Sequence, residues 1–331
     1  MRRPYLSIII PAYNASVSLT RLLASLTKST YKQFEVIVGD DASNEQYFVG
    51  RGVKIVRLTR NKGPAAARNA AAKRAHGEVL VFLDSDVTVY PDTLAKIAGK
   101  FKEDHDLTAI TGVWDKHQKT DDFFPQFKAL RDWSYWTNER DRDGYYYLFS
   151  TRIAAIRREV FLRLGGFNEA FRQMEDVELT YRIAKRYAII FAPDVRVHHE
   201  FEGFWPVAKK YFWRSFYWTK LYRERRKFDP VATTVWESMA AATGVGAIGS
   251  FVLGIVLFFF VPLPFVKSSF LLFALILLAI HTFLLQKFFR FVYREKGMVF
   301  MGKALAMGLI LYCIILSGSL YYSLKQRTSV V

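Results

Sequence analysis

The sequence holds a single cysteine, Cys313, in 331 residues. No intrachain disulfide is therefore available, which excludes a disulfide-stapled scaffold and suits the polar part of the chain to a reducing compartment. Acidic residues are also scarce beside basic ones: 30 Asp and Glu stand against 47 Lys and Arg, a formal net charge of +17. That excess admits nucleic acid, anionic lipid or phosphorylated substrates as partners. Near the N-terminus the apolar run Leu6–Ile10 stops at Pro11. It is too short for the apolar region of a secretory signal, so it reads as a first strand, and the N-terminal domain is expected in the cytoplasm. Long apolar runs begin only at about Ala240. There they come in stretches of roughly 18–22 residues, enough to cross a hydrocarbon layer of ~30 Å. Their placement favours a membrane partner and argues against nucleic acid.

The first 110 residues alternate strand and helix. Leu6–Ile10, Phe34–Val38, Val53–Leu58 and Val79–Leu83 are short apolar runs of the kind that form buried parallel strands. Leu19, Leu22, Leu23 and Leu26 recur at helical spacing, and Pro64 opens an alanine-rich helix over 65–75. The fold class expected is α/β, a doubly wound parallel sheet whose ligands lie outside the carboxyl ends of the strands. Asp40-Asp41 follows the second strand and Asp84-Ser85-Asp86 follows the fourth. Both acidic pairs thus fall on one sheet edge. Two carboxylates separated by one residue, where an apolar strand stops, suit a divalent cation; the basic, glycine-containing segment 61–69 before them suits a phosphate group. Further on, Thr151–Ile156 and Val195–His199 read as strands, Arg157–Leu164 as a short helix ended by Gly165-Gly166, and Glu175-Asp176-Val177-Glu178-Leu179 as a helix opening. Trp114, Trp133, Trp136 and the Tyr145–Tyr147 run form either an acceptor-binding wall or the packing beneath a long connection.

Taken in order, Ser7-Ile8-Ile9-Ile10-Pro11-Ala12-Tyr13-Asn14, Asp40-Asp41-Ala42-Ser43, Asn61-x-Gly63-x-Ala65-x-Ala67-Arg68-Asn69, Asp84-Ser85-Asp86, Gly165-Gly166-Phe167 and Glu175-Asp176-x-Glu178-Leu179 resemble the inverting glycosyltransferases of family 2, with the GT-A fold. The likeness covers about residues 5–200. One departure is Ala42, where the family more often has glycine. The resemblance implies a nucleotide-sugar site formed by Pro11, Tyr13, Asn14, Asp40, Asp41, Asn61, Gly63, Arg68, Asp84 and Ser85, with UDP as the expected nucleotide. It implies a metal site for Mn²⁺ or Mg²⁺ in which Asp86 binds directly, Asp84 contributes, and His198 completes the shell. On a strand His198 and His199 face opposite ways, so only one of them can point at that site. Asp176 is the implied general base, opposite the leaving group; a helix N-terminus favours its ionised form. For Asp40 and Asp41 a role in capping the next turn stays open beside the ligand-binding one, and for Arg68 that of a surface helix residue.

Three divisions follow: a GT-A domain over 1–203, a juxtamembrane segment over 204–234, and a transmembrane region over 235–331 with helices at 240–261, 268–285 and 304–322. The middle segment interleaves aromatics with basic side chains, among them Trp205, Lys209, Lys210, Arg214, Lys220 and Arg223. It reads as an in-plane helix at anionic lipid. Ala242, Gly246, Ser250 and Gly254 lie four apart on the first span, a small-residue face through which a homo-oligomer could form. The basic connection 286–303 belongs in the cytoplasm with the N-terminal domain. A phosphate acceptor is largely ionised near neutral pH and scarcely needs a base, whereas a sugar hydroxyl does. The Glu-Asp-x-Glu-Leu motif with the membrane segments therefore points to a lipid-linked saccharide or glycolipid acceptor. The alternatives are a polyprenyl-phosphate glycosyltransferase, a processive synthase (Tyr211-Phe212-Trp213-Arg214-Ser215 being the nearest segment to its Gln-x-x-Arg-Trp motif), and an inactive membrane-anchored scaffold.

Overall fold

The computed structural model describes residues 4–47, 49–50, 52–139, 147–225, 235–260 and 264–328. The chain divides into two compact units. One comprises Met1–Asp121 with Asp141–Phe201, the other Asp122–Arg140 with Glu202–Val331.

The first unit is built on an eight-stranded sheet. Its strands are β1 (Leu6–Ala12), β2 (Phe34–Asp40), β3 (Val53–Arg57), β4 (Val79–Leu83), β5 (Val87–Val89), β6 (Ala109–Trp114), β7 (Ile153–Arg157) and β8 (Ile189–His199), in the order β3-β2-β1-β4-β7-β6-β8-β5. The continuous apolar runs of β1 and β4 are buried on both faces, as central parallel strands require. Helices α1 (Ser16–Thr27), α2 (Pro64–Lys73) and α3 (Thr93–Glu103) join the early strands. Short α5 (Arg158–Arg163) and α6 (Glu175–Ala184) follow β7. The parallel arrangement expected from the sequence holds for β3, β2, β1 and β4. Beyond β4 the sheet is mixed: β7 is antiparallel to both β4 and β6, β6 is parallel to β8, and β5 is antiparallel to β8. The chain between β6 and β7 leaves this unit for residues 122–140. No βαβ crossover therefore fixes the direction of β7.

The ring of Phe82 in β4 packs on Phe149, Phe161 and Phe167 at centroid distances of 5.8, 5.1 and 5.2 Å. This cluster ties the end of β4 to α5 and to the turn before α6. At the other end of the sheet Glu35 accepts hydrogen bonds from Ser7 Oγ (2.7 Å), Lys54 Nζ (2.9 Å) and His76 N (2.6 Å). Burial acts to raise its pKa, but those donors outweigh it and hold the carboxyl down at about 2, against an ordinary 4.5. A depressed pKa contributes stability that is complete above the unfolded value and disappears as pH falls through the folded one. The contribution of Glu35 is expected in full above pH 4.5 and to fade toward pH 2. Acid titration of unfolding should show Glu35→Gln less stable than the parent at neutral pH, with the gap closing on acidification. A constant gap would refute this.

The second unit is helical: α4 (Phe123–Ser134) with a π-helical turn (Tyr135–Glu139), α7 (Phe204–Arg225), α8 (Val235–Phe260), α9 (Pro264–Leu284) and α10 (Gln286–Thr328). Among the described residues two helices are long and apolar enough to cross a membrane, α8 and the Gln286–Lys325 part of α10; the apolar part of α9, Ser268–Leu284, is shorter. Residues 286–303, read from the sequence as a connection, are helical and interrupted only at Gly297 (φ 81°). The charges at Lys287, Arg290, Arg294 and Lys296 decorate a helix whose other side chains, Phe288 and Val292, join an apolar cluster with Phe124, Phe127 and Leu130. Two of the four small residues on the small-residue face of α8 lie against α9. A Cβ at Gly254 would lie 3.2 Å from Leu271, and one at Gly246 would lie 3.2 Å from Leu277. The glycines let α9 of the same chain approach closely. Tyr145, Tyr146 and residues 226–234, which entered the sequence reading, lie outside the described residues.

Candidate active site

Because β3, β2, β1 and β4 run parallel, their carboxyl ends share one edge. Pro11 is buried within β1 itself. Tyr13 follows it with its ring 48% exposed at the rim. Asn14 (φ 48°) knits two loops together: its N–H donates to Ser43 Oγ (3.0 Å) and its Oδ1 accepts from Asn44 N (2.8 Å). Ala42 sits at φ 59°, a left-handed conformation that costs a residue with a Cβ about 1–2 kcal/mol. This accounts for the glycine expected there and makes the alanine a strained substitute.

The two aspartates at the end of β2 face inward. Asp40 accepts from Ser43 N at 3.0 Å and meets Arg57 Nε at 3.4 Å. Asp41 accepts from Lys62 N (2.7 Å) and Gly63 N (2.8 Å). Gly63 needs φ 95° to present that N–H and open α2. The two carboxylates are buried and hold the 42–43 and 61–63 loops in place; a bond to a nucleobase would be an additional one on oxygens already in use. Asn61 lies exposed in the second loop, and the Arg57 side chain, 56% exposed, reaches the same rim.

The residue whose place departs most from the sequence reading is Arg68. Its side chain is 4% exposed, so it is not the surface helix residue that the sequence also allowed. It donates from Nη2 to Asp84 Oδ1 at 2.5 Å and from Nη1 to Glu175 Oε1 at 2.7 Å. Phe167 covers it, 5.6 Å from guanidinium carbon to ring centroid. One buried cation therefore joins the end of β4 to the first turn of α6. Burial would lower the pKa of Arg68, but Asp84 and Glu175 hold it raised. Burial pushes the Glu175 carboxyl up, with Arg68 opposing. The neighbouring Asn69 grips the turn before α6: its Nδ2 donates to Phe167 O (2.8 Å) and its Oδ1 accepts from Phe167 N (2.9 Å). Gly166 (φ 72°) has no room for a Cβ, which would sit 2.5 Å from Asn69 Oδ1. Arg182 donates to Leu164 O (2.6 Å) and Gly166 O (2.7 Å) and seals the same turn. These contacts present Asp176, half-buried, with Oδ1 accepting from Val177 N at 2.8 Å.

Beyond β4, Ser85 is half-buried and Asp86 is 49% exposed. The histidine beside Asp86 is His199, not His198: Nε2 of His199 lies 3.4 Å from Asp86 Oδ2. The reason is register. His199 pairs with Val87, next in the chain to Asp86, while His198 pairs with Thr88 and points to the other face. There burial, then Lys119, lowers the pKa of His198. The end of β8 is held by Gln118, which donates to His199 O (2.8 Å) and accepts from Phe201 N (3.0 Å). Glu200 pairs with Arg21 and Lys119. No group of three His, Cys, Asp or Glu side chains is gathered for a metal among the described residues. Asp86 and His199 are nonetheless a carboxylate and an imidazole, donors that suit Mn²⁺. Of the aromatics singled out in the sequence, Trp114 is buried beneath Arg152, 4.4 Å from its guanidinium carbon. Trp136 is buried against Tyr135 in the helical unit.

Residues 7–165 match the family model described as glycosyl transferase family 2. An uncharacterized glycosyltransferase of Haemophilus influenzae is 30% identical over 187 residues, 54% of this chain and 61% of that protein. The pre-mycofactocin glycosyltransferase of Mycobacterium tuberculosis is 27% identical over 269 residues, 75% of this chain and 55% of that protein. The chain thus spans less than two thirds of the length of either relative. Among solved structures, the mannosyltransferase PcManGT from Pyrobaculum calidifontis, in complex with GDP-Man and Mn²⁺, matches with a TM-score of 0.57 at 18% identity, covering 97% of this chain and 88% of that one. This last likeness concerns the fold.

Proposed function

We propose that this chain, a family 2 glycosyltransferase, moves a sugar with inversion from a nucleoside-diphosphate donor to a hydroxyl of a lipid-linked saccharide or glycolipid at a membrane surface. The observation that carries this reading is the Arg68 bridge, which fixes Asp84 of the acidic strand end and Glu175, the residue before Asp176, to one buried guanidinium. The acceptor oxygen attacks the anomeric carbon while its proton passes to the Asp176 carboxylate. The bond from that carbon to the diphosphate oxygen breaks, and the nucleoside diphosphate leaves with the electron pair. Tyr13, Asn61 and Arg57 line the rim where the nucleotide would lie. Asp86 and His199 would hold a divalent cation, which when bound offsets the charge of the departing diphosphate. The apolar α8 and α10 support a membrane setting for the acceptor.

Purified protein should hydrolyse one member of a sugar-nucleotide panel slowly, and transfer that sugar faster to a lipid-linked saccharide. His199→Ala should weaken Mn²⁺ binding, read by the paramagnetic resonance of the free ion, whereas His198→Ala should leave it unchanged. No turnover of any donor with any acceptor would remove the transferase reading. Equal Mn²⁺ binding in both variants would remove His199 from the cation site.

A further inference from the structure

The helical unit packs in a way that its hydropathy does not reveal. Helices α8 and α9 form an antiparallel pair, with contacts in opposite order along the two: Gly254 meets Leu271, Gly246 meets Leu277, Gly244 meets His281, and His281 Nδ1 lies 2.8 Å from Ala240 O. From Ala240 to the tip at Phe260 the pair is about 30 Å long at 1.5 Å per residue, which matches the ~30 Å hydrocarbon thickness. Away from the seam it is apolar all round: Phe251, Val252, Val256, Phe259, Phe273 and Leu275 are exposed. Its base is charged. Arg131 of α4 bridges Glu139 and Glu237, the latter in the first turn of α8, at 2.7 Å each.

Helix α10 does not run along this pair. Its contacts with the pair that define its path lie at the base, where Leu309 meets Gly244 and Tyr312 clusters with Ala240 and Leu285. Elsewhere it lies on charged helices. Ala304 and Leu311 share an apolar cluster with Phe124, Phe127 and Leu130 of α4 and Val207 of α7. Gly318 backs directly onto Phe212 and Ser215 of α7. Tyr321 and Tyr322 pack tilted and edge-on against Phe216, at 5.9 and 5.1 Å, and Ser323 accepts from Arg223. Helix α7 carries Lys209, Lys210, Arg214, Lys220 and Arg223 exposed. Each such charge costs about 2.5–3.5 kcal/mol at the centre of a bilayer, so α7 stays out of the hydrocarbon. The last third of α10, packed against it, stays out too.

We propose that α8 and α9 enter the bilayer as a two-helix hairpin, while α4, α7 and α10 lie along the surface from which the hairpin enters, so that the described helices cross twice and Lys325 lies on the side of α7. The lipid contact surface is then the whole outer face of the hairpin plus the apolar flank of α10, where Ile310, Leu316, Leu320 and Leu324 are exposed. Trp205, 79% exposed at the start of α7, suits the headgroup layer. This arrangement rests on the membrane setting proposed above and replaces three crossings with two.

Substituted-cysteine labelling in sealed membrane vesicles of known orientation tests it. In a Cys313→Ser background, Lys325→Cys should react with a membrane-impermeant maleimide from the same side as Lys209→Cys on α7. Reaction from the opposite side, or from neither, would mean that α10 crosses, and would overturn the hairpin alone. Release of the full-length protein by an alkaline wash of the membranes would overturn the membrane setting itself, and the hairpin with it. Retention in the wash with same-side labelling supports both.

Discussion

Asp176→Asn should lower the rate of sugar transfer by about 10²- to 10⁴-fold, the usual contribution of a positioned general base, with donor affinity unchanged. An amide has nearly the volume of the carboxylate and keeps the acceptor for the Val177 N–H, so the first turn of α6 is preserved. What it loses is the capacity to take a proton. Single-turnover transfer and donor titration on the same preparation separate the two effects. The comparison also discriminates between acceptors. A hydroxyl nucleophile must shed its proton as it attacks, whereas a phosphate acceptor, with a second pKa of about 6, is already largely ionised near neutral pH. Transfer at the parental rate in Asp176→Asn would move the assignment toward a phosphate acceptor and take the base role from Asp176. Loss of donor affinity in that variant would show that the substitution disturbs the nucleotide rim rather than the proton transfer.

Arg68→Ala should strongly destabilise the sheet unit. Removing one partner from a buried ion pair leaves an uncompensated charge and costs about 3–5 kcal/mol. Here two carboxylates lose their partner together. Glu175, already pushed up by burial and by its neighbour Asp176, would take up a proton, and Asp84 would turn to water. The turn before α6 would also lose the cation beneath Phe167. Arg68→Lys keeps one charge but cannot place two donors on carboxylates from two elements, because an ammonium is a point where the guanidinium is a fork. It should fall between Ala and the parent in thermal stability. A surface arginine that binds phosphate predicts the reverse pattern: an unchanged melting temperature with a raised KM for the donor. Observing that pattern would end the bridging role.

Much of the first unit is legible in the sequence because its signals are local. A short unbroken apolar run such as Val79–Leu83, set between Gly77 and Asp84-Ser85-Asp86, reads as a buried strand, and the acidic residues that follow then lie at its end. Pro64 can open α2 but cannot sit inside it. The ordered motifs carry the likeness to family 2 for the same reason, since each is a short segment with its own turn chemistry. What was not legible depends on partners distant in the chain. Asn69 and Phe167 are 98 residues apart, and Arg68 and Glu175 are 107 apart. The sequence marks all four as notable without saying that they meet. Gln118 carries no local signal at all, yet it fixes the backbone around His199.

What the chain determines by itself, then, is the alternation of buried strands and helices, the edge on which the acidic residues fall, and the apolar length of its C-terminal helices, because these depend on hydrophobic period and turn chemistry within a few residues. The tertiary structure decided the rest. Strand pairing selected His199 over His198, since a one-residue change in register turns a side chain to the opposite face. Burial set Arg68 between Asp84 and Glu175, since a guanidinium out of water must sit between carboxylates. Helix packing gave the glycines of α8 to α9 of the same chain and laid α10 against the charged α7, because an apolar helix takes its place from its neighbours as much as from its own hydropathy.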